Sequence, residues 1–316
     1  MKRILKKLSF GILIAISVSA GAQTTRAIDN PAQQEVVYIK GIRFADALLE
    51  KWIAEYSKTH SGVSLSIADN DAHEYSVKVV PSGIREDNTL VTIAFGKYAI
   101  LPIAGQDNVL PDELKKKKLN EKRIKELFFE KDVFADDYEP DKKEKYDVTV
   151  YSGNGSYSVS HSFAGHFGYD VSSLKGKKIA GDDIYLNNAV KKDAKGISFN
   201  KLNYVFDIES RRLNDGITLL PLDIKKEYAD VLNVQNLDET IALLESKNIG
   251  LIPIEELTFV LPGQANPATL RFLEWALSEE GQAYINIFGF LRLDTKEIAR
   301  QQKKLSELET VLLANR

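Results

Sequence analysis

The chain has 316 residues, no cysteine, one methionine and a formal charge of −3. The lack of cysteine excludes a disulfide-stapled scaffold, and a net negative chain lacks the basic surface that nucleic acid requires. Beyond the N-terminus no stretch reaches the roughly 18 apolar residues of a transmembrane helix, and a chain of this length suggests two lobes or domains.

Residues 1–22 read as a secretory leader. Lys2, Arg3, Lys6 and Lys7 form a positive start, Phe10 to Val18 an apolar middle, and Ala20-Gly21-Ala22 a small-x-small cleavage site. Cleavage there leaves Gln23 first, with no cysteine to carry a lipid, so a periplasmic protein is expected. Losing the four positive residues takes the charge from −3 to −7. Any anion site must then work by local donors and dipoles rather than by the bulk field.

After a polar lead-in, Glu35 to Ile39 reads as a strand. Phe44, Leu48, Leu49, Trp52, Ile53 and Tyr56 recur at helical spacing, closed by Ser61-Gly62. Val63 to Ile67 and Tyr75 to Val80 are further strands, followed by a turn at Pro81-Ser82-Gly83. Leu90 to Phe95 and Tyr98 to Ile103 are apolar runs suited to buried strands. Lys115 to Lys118 reads as a solvated helix face, Asn120 to Phe129 as a helix, and Phe134 to Lys145 as a charged surface loop.

Asp147 to Tyr151 is strand-like, and Gly153-Asn154-Gly155 supplies a tight turn. Hydroxyls follow at Ser156, Ser158 and Ser160, with Val159, Phe163 and Phe167 at a spacing of four. Strand, glycine turn, hydroxyls and helix start together suit an oxyanion, because the free N–H groups of a first helical turn and the helix dipole favour negative charge. The same pattern also describes a plain strand-to-helix turn with serine as cap.

Leu174 to Lys178 is a connector and Asp183 to Val190 a short helix. Gly196 to Phe199 is a strand continued by Tyr204 to Phe206, and Ile217 to Leu222 is another. Asp238 to Glu245 is a helix, Ile249 to Ile254 a strand, Thr269 to Leu277 a helix, and Thr295 to Leu313 an amphipathic helical tail. Strands alternate with helices throughout, which implies α/β layers with mixed, mostly parallel sheets. His161 and His166 are five apart and fall on different faces of a helix, so no metal pair is expected. Asp136-Asp137 and Glu255-Glu256 read as solvated. No Gly-x-Ser-x-Gly elbow, His-Glu-x-x-His or Walker loop is present, and no catalytic set can be assembled.

The order of segments resembles the phosphate-type (PstS-like) substrate-binding proteins of ABC transporters. Lys40 to Trp52 is similar to their Gly-x-x-Phe turn and first helix, and Asn154-Gly155-Ser156-Tyr157-Ser158 to their Asp-Gly-Ser-Gly-Thr phosphate loop. Gly196 to Phe199 is similar to their return strand. Phe272 to Tyr284, followed by Phe288-Gly289-Phe290-Leu291, resembles their closing helix and its Gly-Phe. The resemblance runs from about Val36 to Leu293. It implies a two-lobed type 2 periplasmic binding protein fold with a hinge. Lobe one would comprise residues 35–104 and 196–293, lobe two residues 105–195, and residues 294–316 a helical tail.

It also implies a monomeric receptor, without cofactor or metal, that takes a small oxyanion, phosphate by default, and serves an ABC permease. The ligand contacts it points to are Arg43, Phe44, Ser82, Asn154, Gly155, Ser156, Tyr157 and Ser158. The loops depart from the family pattern. Arg43 stands where a small hydroxyl is usual, Ser152 where a phosphate-pairing Arg is usual, and Tyr157 replaces a Gly. The Ser-Gly-Gly turn and the ligand-facing acid have no convincing match, with Pro81-Ser82-Gly83 a weak substitute. Arg43 is either the relocated cation of the site or a surface residue, and Tyr157 either caps a ligand or fills the space phosphate takes in relatives. The alternative to a transport receptor is a relative that has lost anion binding and acts as an interaction or sensory module.

Overall fold

The structure, a computed structural model, describes residues 35–68, 74–82, 90–108, 117–130, 146–263 and 265–314. The expected leader and lead-in, Gly83, Lys115-Lys116, Asp136-Asp137 and the loop 134–145 lie outside the described residues.

Strand β1 (Glu35–Lys40) buries Val37 and Ile39 by simple alternation. A 3-10 turn, Arg43–Ala45, then leads into helix α1 (Asp46–Thr59), which buries Leu48, Leu49, Trp52 and Tyr56 along one stripe. Strands β2 (Val63–Ile67) and β3 (Val77–Pro81) flank β1 in parallel. Strand β4 (Val91–Gly105) absorbs both predicted apolar runs into one 15-residue strand. It is continuous because Gly96 accommodates a register shift between Ala94 and Gly96 instead of a turn.

Helix α2 (Glu121–Phe128) is capped by the Asn120 side chain. Strand β5 (Thr149–Gly153), helix α3 (Val159–His166), strand β6 (Lys177–Ile179), helix α4 (Ile184–Lys192) and strand β7 (Gly196–Lys201) follow. Tyr204 to Phe206 does not continue β7. Residues Leu202–Val205 form a short helix, α5, so the aromatic and β-branched composition of that triplet is overridden by packing. Strand β8 (Ile217–Leu219) is shorter than expected. Helix α6 (Lys226–Val234), which periodicity did not reveal, precedes α7 (Leu237–Ser246).

Ile249 to Pro253 is a turn closed by Ile252 N–H on the Ile249 carbonyl (2.8 Å), and the strand begins only at Ile254, as β9 (Ile254–Leu261). Proline at 253 offers no N–H to a ladder, which fits a strand that starts after it. Glu255 and Glu256 therefore stand on a strand, half-buried, rather than on a solvated loop. Glu255 accepts the Ser82 hydroxyl and Glu256 pairs with Arg300 at 3.8 Å.

Helix α8 (Pro267–Ala276) is capped by Asn266 with proline at its first position. A single turn, α9 (Glu279–Gln282), and the long α10 (Thr295–Ala314) complete the chain.

The strands form one mixed path, β2-β1-β3-β9-β4-β7-β5-β6, with β8 also on β4. The parallel pairs lie at the two ends, and the central β3–β9, β9–β4 and β4–β7 pairs are antiparallel. Strand β4 carries both halves: Val91 to Ala99 pair with β9, and Ile100 to Gly105 with β7 and β8.

The closing segment is tied to α1 and to β4 by polar bonds inside an aromatic cluster. Trp52 donates its indole N–H to the Gly281 carbonyl (2.8 Å), and Gln282 donates its amide to the Phe95 carbonyl (2.9 Å). Phe95, Phe259, Phe272 and Trp275 surround the Trp52 ring. This cluster fixes α1, and with it the turn that carries Arg43 and Phe44.

Candidate functional site

Two strand-to-helix turns from distant parts of the chain meet. The first runs from the end of β1 into α1 and brings Lys40, Gly41, Ile42, Arg43 and Phe44. The second runs from β5 into α3 and brings Gly155, Ser156, Tyr157 and Ser158. Lys78 on β3, Gly181-Asp182-Asp183 before α4, Lys201 at the end of β7 and Tyr204 on α5 complete a cavity of about 520 Å³. Four cationic side chains face two carboxylates in this lining, a net charge of +2 on a chain that is net negative.

The floor is a buried polar cluster. Ser158 caps α3 and donates its hydroxyl to Asp183 Oδ1 (2.7 Å), while the Val159 N–H donates to Asp183 Oδ2 (2.8 Å). The Lys201 ammonium pairs with the same Oδ2, and neither partner's side chain is more than 4% exposed. Lys201 Nζ also lies 4.2 Å from the centre of the Phe44 ring and 5.4 Å from that of Tyr204. Asn200 holds the Asp183 carbonyl (2.7 Å), which fixes the carboxylate from behind. Gly153 makes room for the arrangement: a methyl there would lie 2.2 Å from Ser158 Oγ and 2.8 Å from Asp183 Oδ1. The anion favoured at this helix start is thus supplied by the chain itself.

Toward solvent, Arg43 Nε stands 3.6 Å from Asp182 Oδ2, with the arginine side chain 76% exposed. Asp182 also accepts the Tyr204 hydroxyl at 3.1 Å. Burial, and then the nearby Asp182 carboxylate, push the Tyr204 phenol far above its usual range, so it stays a neutral donor. Asp46, at the start of α1, is raised by burial and by Glu50, with Arg43 opposing. Lys78 Nζ lies 5.2 Å from the centre of the Tyr157 ring.

Of the residues singled out from sequence, Arg43, Phe44, Gly155, Ser156, Tyr157 and Ser158 line this one cavity. Phe44 is buried and packs edge-on against Tyr98 at 5.4 Å, so it is at once core and cavity wall. Two of the residues do not join the lining. Ser82 is held on β9, its N–H on the Glu256 carbonyl (2.9 Å) and its hydroxyl on Glu255. Asn154 is exposed, its N–H on the Ile179 carbonyl. Ser152, at the position of the missing Arg, is buried and accepts from Lys178 at 3.1 Å.

Asp182, Asp183, Lys201, Tyr204, Lys40 and Lys78 were not expected at the site. Three of them left a signal. Asp182-Asp183 stands at the start of a predicted helix, and Lys201 ends an otherwise uncharged strand. Neither signal pairs Asp183 with Lys201, because they meet only through the sheet. Among the described residues, no group of three or more metal-ligating side chains gathers.

The mixed α/β architecture is the type 2 periplasmic binding protein fold, with the cavity at helix starts beyond strand ends, where open α/β sheets commonly hold ligands. The solved structures it is similar to include a protein from Clostridium perfringens described as a phosphate ABC transporter substrate-binding protein, with phosphate bound (TM-score 0.52, 14% identity, 82% of this chain and all of that one). An ABC-type phosphate transport receptor from Vibrio cholerae is similar too (TM-score 0.51, 12% identity, 81% of this chain and all of that one). So is the OxyR2 regulatory domain from Vibrio vulnificus, at TM-score 0.47 and 9% identity over 83% of this chain and 98% of that one. No protein-family profile and no curated protein matches the sequence.

Proposed function

We propose that this chain is a periplasmic solute-binding protein that takes a small solute bearing an oxyanion group into the cleft and delivers it to an ABC permease. The observation that carries the reading is the cavity itself. It gathers Lys40, Arg43 and Lys78 beside the Gly155-Ser156 loop, outward of the helix start that Asp183 engages, with a net positive lining. The cavity serves binding rather than catalysis. Arg43, Ser156 and the lysines hold the anionic group, and Tyr157 covers it. The lobes, residues 35–104 with 196–293 and residues 105–195, close around the solute, and the receptor works as a monomer exported by the leader. Among the described residues no helix is long and apolar enough to cross a membrane. Calorimetric titration with inorganic phosphate, sulfate and glycerol 3-phosphate tests the reading, together with small-angle scattering to detect closure. Millimolar or tighter binding of at least one, with a smaller radius of gyration, is expected.

A second reading has one observation in its favour. Asp183 and Asp182 already engage Ser158, the α3 terminus and Arg43. A chain whose anion donors are satisfied internally suits an interaction or sensory module, and binding of none of the three solutes at millimolar concentration would support it.

A further inference from the structure

We propose that Asp183 is the resident anion of this site, so that the folded chain denies a bare inorganic oxyanion the N-terminus of α3, and any bound anionic group is held at the outer, Arg43-bearing part of the cleft. The inference deepens the solute-binding reading and rests on it only for the location of the outer position.

Three donors that would greet an incoming oxyanion are already committed to one carboxylate: the Ser158 hydroxyl, the Val159 N–H and the Lys201 ammonium. That carboxylate is not a passing surface group. Asp183 is 5% exposed, Ser158 5%, Lys201 1% and Val159 fully buried. Its main chain is gripped by Asn200, which is itself buried and bonded to Asn187 (2.9 Å). Gly153 leaves only the room this geometry needs, since a Cβ there would strike both Ser158 and Asp183. Asp183 is also not spent on capping its own helix, because its side chain makes no cap bond to α4. Its hydrogen bonds point across to α3 instead.

A tethered carboxylate acts at high effective concentration, and a free anion must displace it against that advantage. An anion that bound beside it would face like charge at short range in a poorly solvated place. What remains for a solute is the outer cleft, where Arg43 and Ser156 are exposed and the Phe44, Tyr157 and Tyr204 rings offer wall.

The test removes the plug. Asp183→Ala leaves Ser158, Val159 and Lys201 facing an open position, and inorganic phosphate should fill it. At matched ionic strength, phosphate is expected to raise the melting temperature of Asp183→Ala in a concentration-dependent way and to leave the wild type unmoved. Isothermal titration is expected to show inorganic phosphate bound about ten- to a hundredfold more tightly by the variant. If Asp183→Ala does not fold because Lys201 is left unpaired, Asp183→Ala/Lys201→Met is read in the same way, with a smaller gain expected from the two remaining donors. Wild type stabilised by phosphate as much as the variant, or no gain in whichever variant folds, overturns the inference. The solute-binding reading fails separately. If wild type binds neither inorganic phosphate nor glycerol 3-phosphate while Asp183→Ala gains phosphate, the plug stands and the capture function falls.

Discussion

Replacing Lys201 by methionine isolates the energetics of the cluster on which the site is built. The side chains of Lys201 and Asp183 are 2% and 4% exposed, so water screens the pair little. Removing one partner of a buried pair costs about 3–5 kcal/mol, because the other charge is left uncompensated. Here Asp183 keeps the Ser158 hydroxyl and the Val159 N–H, which meet part of its demand and place the cost near the lower end, about 3 kcal/mol. Methionine fills much of the same volume, so little of the loss is a cavity. Against a typical total of about 5–15 kcal/mol, that is a large fraction of the stability. Urea denaturation read by linear extrapolation measures it, with an unchanged m-value expected. The neutral pair Asp183→Asn/Lys201→Met should recover at least half of the loss, since no buried charge remains. A cost below about 1 kcal/mol, the range of an exposed pair, or a double variant no more stable than the single one, would refute the reasoning.

Three further outcomes are expected. Arg43→Ala should leave free-protein stability within about 0.5 kcal/mol, because the arginine is mostly exposed and its Asp182 contact is long, while weakening oxyanion-bearing solutes about ten- to a hundredfold by calorimetry; equal affinity would mark Arg43 as a surface residue. Gly153→Ala should destabilise by about 1–3 kcal/mol through overpacking against Ser158 and Asp183, measured by the same denaturation curves, and a neutral effect would mean the floor is looser than the geometry indicates. Hydrogen bonds from Lys51 and then Lys58 hold the Glu55 carboxyl down at about 2, below its ordinary 4.5; a lowered folded pKa gives stabilisation that is complete above the unfolded value and fades as pH falls toward 2. NMR titration should find that midpoint, and Lys51→Met/Lys58→Met should return it to the ordinary range.

The sequence by itself determined the α/β character and the segments of strongest periodicity. The stripe Leu48, Leu49, Trp52 and Tyr56 reads as a helix because side chains four apart share a face, and the structure buries all four. Gly153-Asn154-Gly155 followed by Ser158 reads as a strand-to-helix turn because glycine and a hydroxyl cap are local requirements, met within a few residues. Short apolar runs carried less. Tyr204 to Phe206 and Ile249 to Ile254 have strand composition, yet one is mostly helix and the other a turn, since three to six residues do not outweigh what they pack against. The join of two apolar runs into β4 depended on whether Gly96 would turn or bulge, which partner β9 decides.

The site divided in the same way. Arg43, Phe44 and the Gly155–Ser158 loop sit on local motifs and could be named in advance, whereas Ser82 and Asn154 sit on similar signals and lie outside the cavity. The Asp183–Lys201 pair could not be read at all. Its members are 18 residues apart on different elements, and only the pairing of β5 with β7, with α3 and α4 starting at the same end, brings a carboxylate, an ammonium and a helix terminus to one point. Charge meeting charge in a buried place is a property of the assembled sheet. That is why the carboxylate held at the start of α3 became visible only in the tertiary structure.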